Sequence, residues 1–170
     1  MNVRNEVLKT LARCRVLKLT DAIKQFDITE EDIDKMLEEK IITKEFLEFK
    51  RDFVPVIIEY FQLSDKGEKF VKDIIVEINE IYRGFILEHD LSLCEYYLER
   101  TKEERETWLT RDDMIKRYKS TGTIDGAFMN KNNQLEGIEI MSKNSKPSVI
   151  EKTEEFIKIA EIKKMNYILY

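Results

Sequence analysis

The chain of 170 residues is short of glycine (5), proline (2) and cysteine (2), and it carries one histidine and one tryptophan. So few glycines and prolines exclude a collagen-like or low-complexity chain, and a 42% hydrophobic content excludes a disordered one. The glycines, Gly67, Gly84, Gly122, Gly126 and Gly137, never cluster, which removes phosphate-cradling loops. With His89 alone, multi-histidine metal sites cannot form within one chain. Because His89 precedes Asp90 and an apolar stretch, it reads as a packing or capping residue, not a general base. Cys14 and Cys94 are too few and too distant for a disulfide framework, no CxxC exists for zinc, and both read as buried thiols. No apolar run approaches membrane-spanning length, since the stretch from Val54 to Phe61 is broken by Glu59. Met1 to Thr10 lacks the apolar core of a signal peptide. A cytoplasmic protein without membrane contact is the expectation.

What the chain does contain is charge. Charged residues make up 37%, with 29 Lys+Arg against 34 Asp+Glu, a net charge of −5. That balance argues against coating nucleic acid through bulk positive charge. Abundant Glu, Lys and Leu with few turn-formers predict a helix-rich α+β chain, in one domain or two small ones.

Val3, Val7, Leu8 and Leu11 recur at helical spacing, so residues 2–13 read as a first helix. Thr20 and Thr29 are plausible N-caps for a short helix at Asp21–Phe26 and a third helix carrying Ile33, Met36 and Leu37. Ile41–Phe49 and Val54–Leu63, joined by Lys50-Arg51-Asp52, read as a hairpin. Then Phe70, Val71, Ile74, Ile75 and Ile78 recur at helical period, predicting a helix over 66–81 long enough to pair with a second copy as a homodimer. This order resembles a winged helix-turn-helix domain over residues 1–82, and Tyr60-Phe-Gln-Leu63-Ser64-Asp65-Lys66-Gly67-Glu68 is similar to a run common after the wing in bacterial regulators. The resemblance implies double-stranded DNA as partner.

The usual reading helix is acidic. Residues 29–40 hold Glu30, Glu31, Asp32, Asp34, Glu38 and Glu39 against Lys35 and Lys40, net −4. Placed near phosphates, that face would cost Coulomb energy. Residues 1–26 are net +4. DNA contact is therefore expected through Arg4, Arg13, Arg15, Lys18 and Lys24, with Lys50 and Arg51 at the wing tip; the bland alternative is a protein-docking domain.

In the second half, Leu91, Cys94, Tyr97 and Leu98 predict a helix and Trp108-Leu109-Thr110 a short strand. Arg111–Lys119 reads as a basic helix or turn. Thr123–Met129 and Leu135–Met141 read as a hairpin around Asn130–Gln134, followed by a helix from Pro147 to Lys164 and a strand at Tyr167–Tyr170. Tyr82, Phe85, Tyr96, Tyr97 and Trp108 read as core or a dimer surface. Helix, hairpin with Asp125 and Glu139, helix, strand resembles the core of the PD-(D/E)xK nuclease fold. His89-Asp90-Leu91, Trp108-Leu-Thr110, Asp125-Gly126, Ile138-Glu139 and Lys152 together resemble the replication-relaxation family of plasmid and conjugative-element proteins. That resemblance implies a restriction-endonuclease-like α/β domain over residues 83–170, following the winged helix.

Asp125 and Glu139, 14 residues apart on adjacent strands, suit oxygen coordination of Mg²⁺, with a lysine to orient the attacking water. The motif lysine position, two residues after Glu139, is Met141. Lys143 lies on the same face but about 13 Å along a strand, and Lys152 is the better migrated candidate. The bland readings are a turn residue for Asp125, since Asp-Gly is a turn pair, and a surface lysine's partner for Glu139. The expectation is a non-enzymatic DNA-binding accessory or regulatory protein of a plasmid, conjugative element or phage, without cofactor. Its basic edges (Arg111, Lys116, Arg117, Lys119; Lys143, Lys146) would touch DNA or a replication or transfer partner. The alternatives are a metal-dependent nuclease using Asp125, Glu139, Lys152 and Mg²⁺, and a protein-interaction module without DNA contact.

Overall fold

The computed structural model describes residues 3–51, 54–78, 80–84, 86–120, 123–143 and 147–170. It is an α+β chain that divides into two compact units, Met1–Ile78 and Asn79–Tyr170. Among the described residues there are eight helices and two small sheets. No helix there is long and apolar enough to cross a membrane.

The first unit runs α1 (Val3–Cys14), β1 (Leu17–Lys18), α2 (Leu19–Phe26), α3 (Glu30–Glu38), β2 (Ile42–Arg51), β3 (Val54–Leu63) and α4 (Asp65–Ile74). Val7, Leu8 and Leu11 of α1 are buried, as their spacing predicts. The Thr29 hydroxyl accepts the Asp32 amide at 3.2 Å, and three acids in the first turn of α3 complement its positive N-terminal end. Ile33 and Met36 turn inward, which leaves all six acids of residues 29–40 exposed. β2 and β3 pair antiparallel from Ile42↔Leu63 to Arg51↔Val54, and β1 pairs with β3 at Leu17↔Phe61, giving the order β1-β3-β2.

The helix predicted over 66–81 is shorter. Ser64 starts α4 by accepting the Gly67 amide at 3.0 Å. The helix ends at Ile74, because Ile75 turns extended (φ −109°, ψ 92°). Ile74-Ile75-Val76 is a β-branched run that favours extended backbone, and the break lets Ile75 and Ile78 both bury while Val76 faces out. Helix 66–81 is thus not available as a pairing surface.

The second unit runs α5 (Leu87–Leu98), α6 (Lys102–Glu106), β4 (Leu109–Thr110), α7 (Arg111–Tyr118), β5 (Gly126–Met129), β6 (Leu135–Met141), α8 (Pro147–Ile159) and β7 (Lys164–Leu169). Its sheet has the order β4-β5-β6-β7, antiparallel except for the parallel β6–β7 pair that α8 connects. Thr101 with Glu104, and Thr110 with Asp113, form capping boxes that start α6 and α7. One face of the sheet packs Ala127 against Met114, Ile124, Phe156, Ala160 and Ile162. Trp108 lies stacked against Phe128, 5.9 Å between ring centroids, with Tyr96 and Tyr97 around it. Tyr82, Tyr96, Tyr97 and Trp108 are all buried, hence core; Phe85 lies outside the described residues.

Further boundaries differ from the sequence reading: α2 begins at Leu19 with Lys18 at its N-cap position, so Thr20 lies inside the helix and does not cap it. The last helix stops at Ile159, not Lys164, because Glu161 turns left-handed (φ 55°) and Ile162 swings into the core. The strand that follows therefore starts at Lys164.

Candidate functional site

The most charged buried cluster in the second unit forms where the first turn of α5 meets the start of β5 and the middle of β6. His89 and Asp90 enter from α5, Asp125 immediately precedes β5, and Glu139 lies within β6. Gly126 pairs with Ile138, so the same register continued by one step sets Asp125 beside Glu139.

Asp125 is buried at the bend that immediately precedes β5. Its Oδ2 accepts the Ile140 amide at 2.7 Å and contacts His89 Nε2 at 3.0 Å. The carboxylate thus replaces the ladder partner that β6 loses where β5 begins. Gly126 is there for space: a Cβ at that position would sit 2.3 Å from the Trp108 ring.

His89 is the residue whose role the sequence reading missed. Its Nδ1 lies 3.1 Å from Asp90 Oδ1, which also accepts the Tyr82 hydroxyl at 3.2 Å, and its ring meets Tyr170 edge-on at 5.7 Å. Burial opposes the charged ring, but hydrogen bonds to Asp125 and Asp90 outweigh it and hold the pKa up at about 9. At neutral pH both N–H groups donate to carboxylates. His89 is consequently a fixed cation, not an available base. The signal in the sequence was the adjacent His89-Asp90 pair, but nothing local shows that Asp125, 36 residues on, completes it.

Glu139 shows the opposite balance. Burial first, then the neighbouring Asp125 charge, pushes its carboxyl up to about 8, against the weaker pull of the Asp125 amide, His89 and Arg111. One of its oxygens, Oε2, is buried without a hydrogen-bond partner among the described residues. Glu139 is therefore no surface lysine's partner. The cation acting on it besides His89 is Arg111, the first residue of α7. Lys152 is exposed on α8, and Lys143 is exposed beyond the end of β6 at Met141.

The donor set tests the divalent cation that the nuclease resemblance implies. Asp125 Oδ2 already serves an amide and an imidazolium, and Glu139 favours its neutral form at pH 7. Among the described residues no three His, Cys, Asp or Glu side chains group as ligands would. A resident Mg²⁺ wants ionised, accessible oxygens, so binding one here would have to displace the His89 contact from Asp125 and a proton from Glu139.

The cations expected on DNA fall into different classes. Lys24 is exposed on α2, while Arg15 and Lys18 are half-buried. Arg13 is only 4% exposed, so its guanidinium belongs to the interior and is removed from the phosphate-contacting set. Arg4 forks onto Glu39, with Nη1–Oε1 at 3.2 Å, and lies over the Phe70 ring at 5.3 Å. It ties α1 to the α3 exit, which leaves less of it for phosphate. The side chains of Lys50 and Arg51, and Lys146, lie outside the described residues. Among the basic edges of the second unit, Lys116 pairs with Glu80 at 3.1 Å, and Arg117 and Lys119 are exposed. Both cysteines are buried free thiols. Compared with known proteins, the chain matches no family model, no curated protein and no solved structure.

Proposed function

We propose that the chain is a DNA-binding accessory or regulatory protein of a plasmid, conjugative element or phage, with Met1–Ile78 acting as a winged helix-turn-helix domain. The observation that carries this reading is the element order α1-β1-α2-α3-β2-β3-α4 with strand order β1-β3-β2. It is the order in which a winged helix-turn-helix lays down its helices, its three-stranded sheet and its wing, here β2–β3. The acidic outward face of α3 repels phosphates, so contact runs through Lys24, Lys18, Arg15 and the hairpin tip. Asn79–Tyr170 serves in this reading as a nuclease-like scaffold that engages DNA or a replication or transfer protein.

Fluorescence anisotropy with labelled duplex at low salt tests it. With three or so phosphates neutralised, log K falls against log salt with a slope of about −3. Lys24→Glu should weaken binding about tenfold, a like-charge penalty at a phosphate. Absence of binding to any duplex at low salt would favour the protein-interaction alternative.

The nuclease alternative has one observation in its favour, the Asp125–Glu139 neighbourhood across β5 and β6. Incubating DNA with the protein and Mg²⁺ or Mn²⁺ decides between them. We expect intact DNA; cleavage that Asp125→Ala abolishes would reverse the assignment.

A further inference from the structure

We propose that a second copy of this chain pairs along the outer edge of β2, antiparallel and centred on Phe46, joining two three-stranded sheets into one of six strands. Among the described residues, the order β1-β3-β2 leaves β2 with a strand on one side only. This edge is 10 residues long, far more backbone than an edge strand normally leaves unpaired. Phe46 is 61% exposed and Ile57 64% exposed. Phe46 stands opposite Glu59 and Ile57 opposite Glu48, so the two apolar side chains are diagonal neighbours on one face.

Charge selects the occupant and the register. Lys44, Phe46 and Glu48 alternate along that same face of β2. A two-fold axis perpendicular to the sheet sets one residue of β2 opposite itself and the others in symmetric pairs. Centred on Phe46, it brings Lys44 opposite Glu48 of the partner subunit, twice, and overlaps Ile42 through Lys50. Centring on Lys44, Glu45 or Glu48 places each of these against its own like charge, and centring on Leu47 sets Lys44 against a second-copy lysine at position 50. Centring on Phe49 overlaps only residues 47–51. The order Lys-x-Phe-x-Glu is thus self-complementary in one long register. The paired segment ends at Lys50, short of Arg51.

Sedimentation velocity of the full chain, from micromolar to near-millimolar concentration, should show a monomer–dimer equilibrium. Glu48→Lys opposes two like pairs and should weaken the dimer at least about tenfold, while Lys44→Glu combined with Glu48→Lys, which gives up the pair that Lys44 makes with Glu59 in its own sheet, should restore it in part. These side chains are exposed or partly exposed strand residues, and each variant's melting curve checks that the fold persists. Phe46→Cys provides a second readout. Directly opposite Cβ atoms lie about 5 Å apart, near disulfide reach, and the native Cys14 and Cys94 are buried. Mild oxidation should therefore cross-link Phe46→Cys and not Thr43→Cys, whose copies would be about 20 Å apart. A chain that stays monomeric throughout, a dimer indifferent to Glu48→Lys, or equal cross-linking at both positions would overturn the proposal.

Discussion

At Asp125, a single oxygen accepts both the Ile140 amide and the His89 ring, so one side chain joins β6 to α5. Its removal strands a buried imidazolium and a buried amide together. Asp125→Ala should cost about 3 kcal/mol, the usual penalty for breaking a buried pair, and Trp108 fluorescence in thermal melts reports it from the same unit. Asp125→Asn keeps the volume and removes the charge. Because His89 is the only histidine, its ring resonances in NMR give an unambiguous titration. The wild-type midpoint should stand at about 9 and fall by more than about one unit in Asp125→Asn, since an opposite charge within contact distance is lost. An unmoved midpoint would mean that the Asp90 contact alone sustains the imidazolium.

Among the elements, α4 shows how tightly two segments can be tied by small residues. The Ser64 hydroxyl both caps α4 and reaches the Lys40 carbonyl, while Lys66 Nζ donates to the Glu39 carbonyl at 2.8 Å. A Cβ on Gly67 would lie 1.9 Å from the Ile41 carbonyl oxygen, a backbone atom that no rotamer change can move. Gly67→Ala must push α4 off the α3–β2 connection, and a loss of about 2–4 kcal/mol is expected in denaturant titration. Ser64→Ala should cost about 1 kcal/mol as a lost cap. A Gly67→Ala variant as stable as the parent would show that α4 can slide.

Across the whole molecule, proton binding sets a pH dependence that resides in Asn79–Tyr170. The folded pKa values of His89, about 9, and Glu139, about 8, both lie above their ordinary values of 6.5 and 4.5. The folded state therefore holds more protons than the unfolded one between about pH 4.5 and 9, and stability falls as pH rises through that window. The Glu139 contribution fades first, up to about pH 8, and that of His89 follows up to about pH 9. The loss between about pH 6 and 9.5 reads as a lower melting temperature of the Trp108 signal. Glu139→Gln, which cannot ionise, should flatten the curve between pH 6 and 8; an unchanged slope would move the cause elsewhere. By itself the sequence determined the α+β class, the helical faces of α1 and α3, the β2–β3 and β5–β6 hairpins, and the acidity of α3, because capping residues, apolar period and local charge are short-range properties. It left the end of α4 and the α8–β7 boundary misplaced, since both depend on which isoleucine the core takes. Only the tertiary structure decided that Arg13 is interior, that Asp125 is a buried acceptor, and that His89 is a clamped cation. Those three roles arise from segments up to 36 residues apart meeting out of water, where an ionised group must find its partner in the fold.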